Sequence, residues 1–181
     1  MYCYPYHPYQ GHNPTYNYWN NQNWSNYLSP RYMSWDNSNW NRFNENMSLK
    51  DYGKRPLVLN IDQATKQNNT YRTALWTGNH FQVTLMSINV GDDIGLEVHP
   101  STDQFIRIEQ GQGLVQMGNS KDNLDFQQMA YDDYAIMVPA GTWHNVTNTG
   151  NVPLKIYVIY APPEHPYGTV QETKADTMAA G

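Results

Sequence analysis

Basic residues are scarce in this sequence and form no cluster: 11 Lys and Arg stand against 16 Asp and Glu, a net charge of −5. A nucleic-acid partner calls for a basic face that neutralises phosphates, so that class is excluded. No apolar run reaches the about 18 residues that a membrane-spanning helix requires. The longest, Ile156-Tyr157-Val158-Ile159-Tyr160, has the length of a strand. One cysteine, Cys3, leaves no internal disulfide framework. The N-terminus has neither a basic n-region nor an apolar h-region. The expectation is therefore synthesis in the cytoplasm, and residence there or release without the usual export route. Also missing are a Ser/His/Asp triad, a glycine loop opening a helix to cradle phosphate, and a Cys/His nucleophile pair.

Aliphatics are missing from one region in particular. Met1 to Lys50 has no Ile and no Val, and only Leu28 and Leu49 beyond its methionines. Tyr2, Tyr4, Tyr6, Tyr9, Trp19 and Trp24 take their place, with Asn between them. Such a low-complexity aromatic and polar segment cannot build a core of its own, yet its rings offer large areas with polar tips. It reads either as a loose tail or as an arm that docks on another subunit. Prolines at 5, 8 and 14 favour an extended path. On the docking reading, Tyr2, Cys3, Tyr4, Tyr6, Tyr9, Trp19 and Trp24 mediate assembly, with Cys3 placed for an intermolecular disulfide. The chain thus divides into an arm (1–50), a strand-rich domain (51–165) and a small polar tail (166–181).

From Pro56 short strands alternate with turns. Leu57–Ile61 reads as a first strand, with Asp62 capping a brief helical turn through Lys66. Further strands are predicted near 71–76, 81–90, 95–98, 104–109, 114–117, 124–129, 134–138, 143–147 and 154–160. Many short strands at this spacing indicate an all-β sandwich or barrel. Two stretches within it bear chemistry. In Gly91–Gly113, Glu97 and His99 are two residues apart and so face the same way on a strand. Gln104 shares its face with Ile106 and Ile108, whereas Asp103 lies on the opposite one; a shift of one residue would exchange them. His144 follows the Pro139-Ala140-Gly141 turn. Two imidazoles, a carboxylate and an amide oxygen make a mixed N/O site for one divalent ion, Mn, Fe, Ni or Zn. Asn148, four residues past His144, is expected to hydrogen-bond behind the ligands.

These two stretches resemble the paired motifs of the cupin superfamily, G-x5-H-x-H-x3/4-E-x6-G and G-x5-P-x-G-x2-H-x3-N. Gly91, His99 and Gly111 fall in register with the first; Pro139, Gly141, His144 and Asn148 fall in register with the second. Glu97 stands at the first His position, Gln104 at the Glu position and Asp133 at the opening Gly of the second motif. The resemblance covers roughly Pro56 to Pro163 and implies a double-stranded β-helix, or jelly roll, with its site in the barrel mouth.

Three functions follow. The leading expectation is a metal-binding barrel used as a self-assembling structural component, whose arm joins copies into a homo-oligomer, filament or lattice. Tyr/Asn-rich tails of this kind resemble those of bacterial spore-coat and surface-layer proteins, which would put the chain on a spore or cell surface. The alternative is a metal-dependent enzyme. Small cupins that it resembles are labelled mannose-6-phosphate isomerase-like, and others are dioxygenases, decarboxylases or lyases. Arg72 and Arg107 are the only strand arginines, which disfavours a sugar phosphate. The third is a module that holds a small carbohydrate or acid without turnover, with Gln82, Gln116 and Asn148 as a loose polar set.

Overall fold

The alternating run from Gln82 onward becomes a strand covered on both faces in the computed structural model, which describes residues 47–178. Nine strands follow in order: β1 (Arg72–Thr77), β2 (Gln82–Ile88), β3 (Asp103–Gln110), β4 (Gln112–Gly118), β5 (Phe126–Tyr131), β6 (Ala135–Val138), β7 (Trp143–Asn148), β8 (Leu154–Ala161) and β9 (Val170–Gln171). Helix α1 (Ile61–Gln67) precedes them and α2 (Ala175–Met178) ends the described chain. A six-stranded antiparallel sheet, ordered β6-β3-β8-β2-β1-β9, faces a three-stranded one, β5-β4-β7. This is the all-β double-stranded β-helix that the motif spacing implied.

Gln82, Thr84, Met86 and Ile88 of β2 point inward, while Leu85 turns outward to Leu75 and Ala64 of α1. The interior is filled from both sheets: Ile106, Ile108, Ile156 and Val158 meet Val115, Met117 and Val146. Strand pairing places Gln82, Tyr160, Gln104 and Val138 in one cross-strand row at one end of the six-stranded sheet. Ile88 and Leu154 form the last row at the other end. The inner face is therefore polar at one end and aliphatic at the other, so any polar site is confined to the first.

Residues 57–60 form no strand; the chain is extended there without a ladder partner, and Val58 is fully exposed. α1 starts after them, and Asn60, rather than Asp62, caps it by accepting from Gln63 N at 3.1 Å. Residues 95–98, read as a strand, make only isolated bridges to β7. The segment read as a tail supplies β9, which pairs with β1. Asp51 holds this region from the other side, accepting from Gly53 N and Gly168 N at 2.8 and 3.0 Å. Residues 1–46 of the aromatic arm lie outside the described residues.

Two motif positions, one departing from the pattern and one keeping it, find a structural reason. Asp133, standing where the second motif has Gly, adopts a left-handed φ of 68°, and its carboxylate receives Arg107 Nη2 at 2.6 Å. Arg107 is thereby held on the outer face with Glu109. Gly111 (φ 95°) joins β3 to β4, where a Cβ would press on Leu154 Cα and Pro153 O at 3.3 Å.

Asn148 belongs to the aliphatic end. Its amide donates to Ile88 O and Val152 O and accepts from Gly150 N, all within 3.0 Å. Asn148→Ala leaves these buried groups unpaired, so about 2–3 kcal/mol of stability is expected to be lost, lowering Tm by roughly 5–10 °C. Calorimetry checks this. Metal content is expected to stay unchanged, because four strand residues put His144 about 13 Å away.

Candidate metal centre

β7 brings His144 inward, and the segment before β3 is tied to it by paired backbone bonds: Glu97 N donates to His144 O at 3.1 Å and His144 N to Glu97 O at 2.9 Å. The second-motif turn is fixed to the first motif in the same way, since Gly141 N donates to His99 O at 2.8 Å. Glu97, His99 and His144 thus come to one point, with one ligand atom from each lying within 4.8 Å of the others. His99 Nε2 and His144 Nε2 lie 3.3 and 3.4 Å from the same Glu97 Oε1. Two donors on a shared ion at about 2.1 Å are separated by about 3.0–3.4 Å, so the spacing is that of a ligand set.

The tautomers follow from the outer nitrogens. His144 Nδ1 faces Thr142 O at 3.0 Å, and a carbonyl only accepts, so Nδ1 carries the proton. His99 Nδ1 faces Glu164 Oε1 at 3.0 Å, with the same consequence. In their neutral forms both rings therefore present bare Nε2 lone pairs to a carboxylate. The contacts at 3.3 and 3.4 Å lack hydrogen-bond geometry, and both Nε2 atoms are buried without a hydrogen-bond partner. Such an arrangement repels itself unless a cation, proton or metal, sits between the groups.

The electrostatics agree. Burial alone would raise the Glu97 carboxyl, but the adjacent His144 and His99 rings and the charge of Arg72 hold it well below the usual carboxylate range. His99 runs the other way. Burial opposes its charge, and Glu97 and Glu164 together more than offset that and raise its pKa.

Gln104 reaches the cluster with Nε2 3.5 Å from Glu97 Oε1, and its Oε1 is buried without a partner. Rotating the amide would exchange these atoms and offer the oxygen. Asp103 is exposed and accepts from Ala140 N at 2.8 Å, so Gln104 is the one that faces the site. Asn148 is not beside the cluster. Gln82 spends its amide on the chain after β8, donating to His165 O at 2.9 Å and accepting from His165 N at 3.0 Å. Gln116 lies on the face of β4 opposite to Val115 and Met117, outside the barrel interior.

Four residues near the centre were not foreseen as part of it. Gln82 holds the loop that carries Glu164, whose Oε2 accepts from Thr102 Oγ1 at 2.8 Å while Oε1 orients His99. His165 sets its ring edge-on to Tyr160 at 4.9 Å; burial, aided by Arg72, lowers its pKa to about 4. Tyr160 also meets His99 edge-on at 5.7 Å, and burial pushes its phenol up to about 12. Arg72 points inward from β1 beside Met86. Tyr160 was legible from its phase with Ile156 and Val158; Glu164 and His165 sit among prolines, where no period operates. His80 is exposed and Trp76 stacks on Phe81 outside the barrel, so neither lines the site.

The His99 shift gives opposite trends for stability and metal binding. In metal-free protein, the raised folded pKa makes protonated His99 stabilising below its unfolded value near 6.5. That contribution is lost as pH rises through the folded pKa. The stability gap between wild type and His99→Gln is thus expected to be wider at pH 5.5 and to narrow as pH rises, by urea denaturation in chelator. Metal binding requires the neutral ring, so wild-type affinity is expected to fall between pH 8.5 and 5.5, as read by metal titration.

Residues 84–160 match the Cupin domain family. The chain is 71% identical over 137 residues to the uncharacterized protein YrkC of Bacillus subtilis, covering 76% of this chain and 74% of that one. An uncharacterized protein of Acanthamoeba polyphaga mimivirus is 37% identical over 125 residues, 68% of this chain and 76% of that one. Among solved structures, BH2720 from Bacillus halodurans superposes with a TM-score of 0.71 at 67% identity, over 72% of this chain and 98% of that one. No helix among the described residues is long and apolar enough to cross a membrane.

Proposed function

This chain belongs to the cupin family, and from that premise we propose that it is a metal-dependent cupin that binds and activates a small oxygen-bearing molecule. The observation that carries this reading is the pair of bare Nε2 atoms facing Glu97, each ring locked by its Nδ1. Two histidines and one carboxylate on one side leave positions open to a ligand, the pattern of sites that take iron and related divalent ions. Glu97, His99 and His144 would hold the ion, with the Gln104 amide as a fourth donor. The ion would supply Lewis-acid polarisation of a ligand oxygen. Glu164 keeps His99 in its ligating tautomer. Tyr160, protonated at neutral pH, is a buried hydrogen-bond donor beside the centre. Isomerase and dioxygenase chemistry both lie within this reading.

Elemental analysis of the full-length protein is expected to give one divalent ion per chain. The His99→Ala/His144→Ala double variant is expected to retain less than a tenth of it. Wild type without metal, or the double variant as full as wild type, would sink the assignment.

Assembly is a second proposal, and an exposed apolar surface favours it. Leu57, Val58, Leu59, Trp76 and Phe81 line a hollow of about 630 Å³ on the outside of the barrel, with Val58 fully exposed and Phe81 41% exposed. A second copy covering this face gives a homo-oligomer, which an aromatic arm could extend into a filament or lattice of the spore-coat kind. Sedimentation of the full chain is expected to show an oligomer, and Val58→Asp to shift it toward monomer. A monomeric wild type at high concentration would count against it.

A further inference from the structure

Arg72 carries a buried positive charge that no carboxylate answers. Its side chain is only 4% exposed. Nη1 donates to Gln171 Oε1 at 3.0 Å, Nη2 lies 3.8 Å from the Met86 thioether, the Tyr160 hydroxyl interacts with the guanidinium, and Nε has no partner. The Tyr71 ring lies 5.6 Å from the guanidinium carbon. Among the described residues no carboxylate lies within ion-pair distance of it. The carboxylate that acts on it at longer range is Glu97, whose Oε1 is already shared by His99, His144 and Gln104. A lone buried charge of this kind is costly to maintain.

The charge balance sharpens the point. With Glu97 committed to a divalent ion and both histidines neutral as its ligands, the interior holds two uncompensated positive charges. Glu164 at the rim offsets one of them. The edge of Arg72 formed by Nε and Nη2, which no carboxylate occupies, is the planar fork that grips a carboxylate with two parallel hydrogen bonds. A phosphoryl group would be better served by several cations, and the other strand cations are engaged elsewhere. Arg107 is paired on the outer face, and Lys155 is bound to Asn68 O and Asn69 Oδ1. Tyr160, which also acts on Arg72 electrostatically, and the unpartnered His165 Nε2 add polar groups on the same side.

We propose that Arg72 is the anion-recognising half of this centre. It holds one carboxylate of a small dicarboxylic acid, or of an acid with similarly placed charge, whose other end meets the Glu97–His99–His144 cluster. This deepens the metal-centre reading and rests on it. Tyr160 and Gln171 then help to set the ligand's orientation around the guanidinium.

The test uses full-length protein loaded with zinc, and calorimetry with malonate and succinate beside their monoamides. Each pair keeps one carboxylate for the ion and differs only at the far end. At least one diacid is expected to bind about tenfold or more tighter than its monoamide, the scale of a charged hydrogen bond. In Arg72→Gln this preference is expected to collapse to within about twofold, with zinc stoichiometry unchanged. Arg72→Lys, which keeps the charge, is expected to retain part of it and serves if Arg72→Gln does not fold. Equal binding of acid and monoamide by wild type, no binding of either diacid, or a preference that survives Arg72→Gln would each overturn the proposal. A wild type that takes up no zinc would instead overturn the metal-centre reading beneath it.

Discussion

The reciprocal backbone hydrogen bonds between Glu97 and His144 are the constraint on which the centre depends. They join two stretches separated by more than forty residues and fix the relative height of a carboxylate and an imidazole. Gly141 N on His99 O adds the third ligand to the same frame. Backbone bonds set such heights more tightly than side-chain contacts can, because each fixes a peptide plane rather than a rotatable tip. With the frame in place, three ligand atoms converge without relying on long, flexible side chains.

A second layer decides what these ligands can do. Thr142 O and Glu164 each hold an Nδ1 proton, so both rings turn their lone pairs inward. Glu164 is itself positioned from two sides, by Thr102 and by the loop that the Gln82 amide clamps through His165. Gln82 is thus a substitute for missing backbone pairing in a stretch where Pro162, Pro163 and Pro166 cannot continue a ladder. Polar residues of the interior divide accordingly into ligands, groups that orient ligands, and Arg72, which does neither. The aliphatic rows from Val158 to Leu154 form the dry floor beneath them.

Most of the barrel was legible in the chain. Strict alternation in Gln82–Leu85 and in Gln104–Ile108 gave strand faces, and Gly111 and Pro139–Gly141 marked the reversals. Where the reading went astray, local pattern and partner availability disagreed. Leu57–Ile61 has the composition of a strand, but among the described residues no sheet edge receives it, and Asn60 starts a helix instead. Asn148 shares a face with His144, yet distance along the strand assigns it to the opposite end, where it closes a turn.

By itself the sequence determined the fold family and the placing of Gln104 rather than Asp103 on the inner face. It also picked out Glu97, His99 and His144, which the structure brings to one point. Period-two alternation and motif spacing are local properties that survive without knowledge of any neighbour. Only the tertiary structure decided that Glu164 and His165 reach the centre from a proline-rich loop. It alone showed that Arg72 turns inward past the irregular pairing between Ala74 and Trp76. A bulge breaks the phase of alternation, and a loop has no phase to read, so the direction of those side chains is fixed by what they pack against.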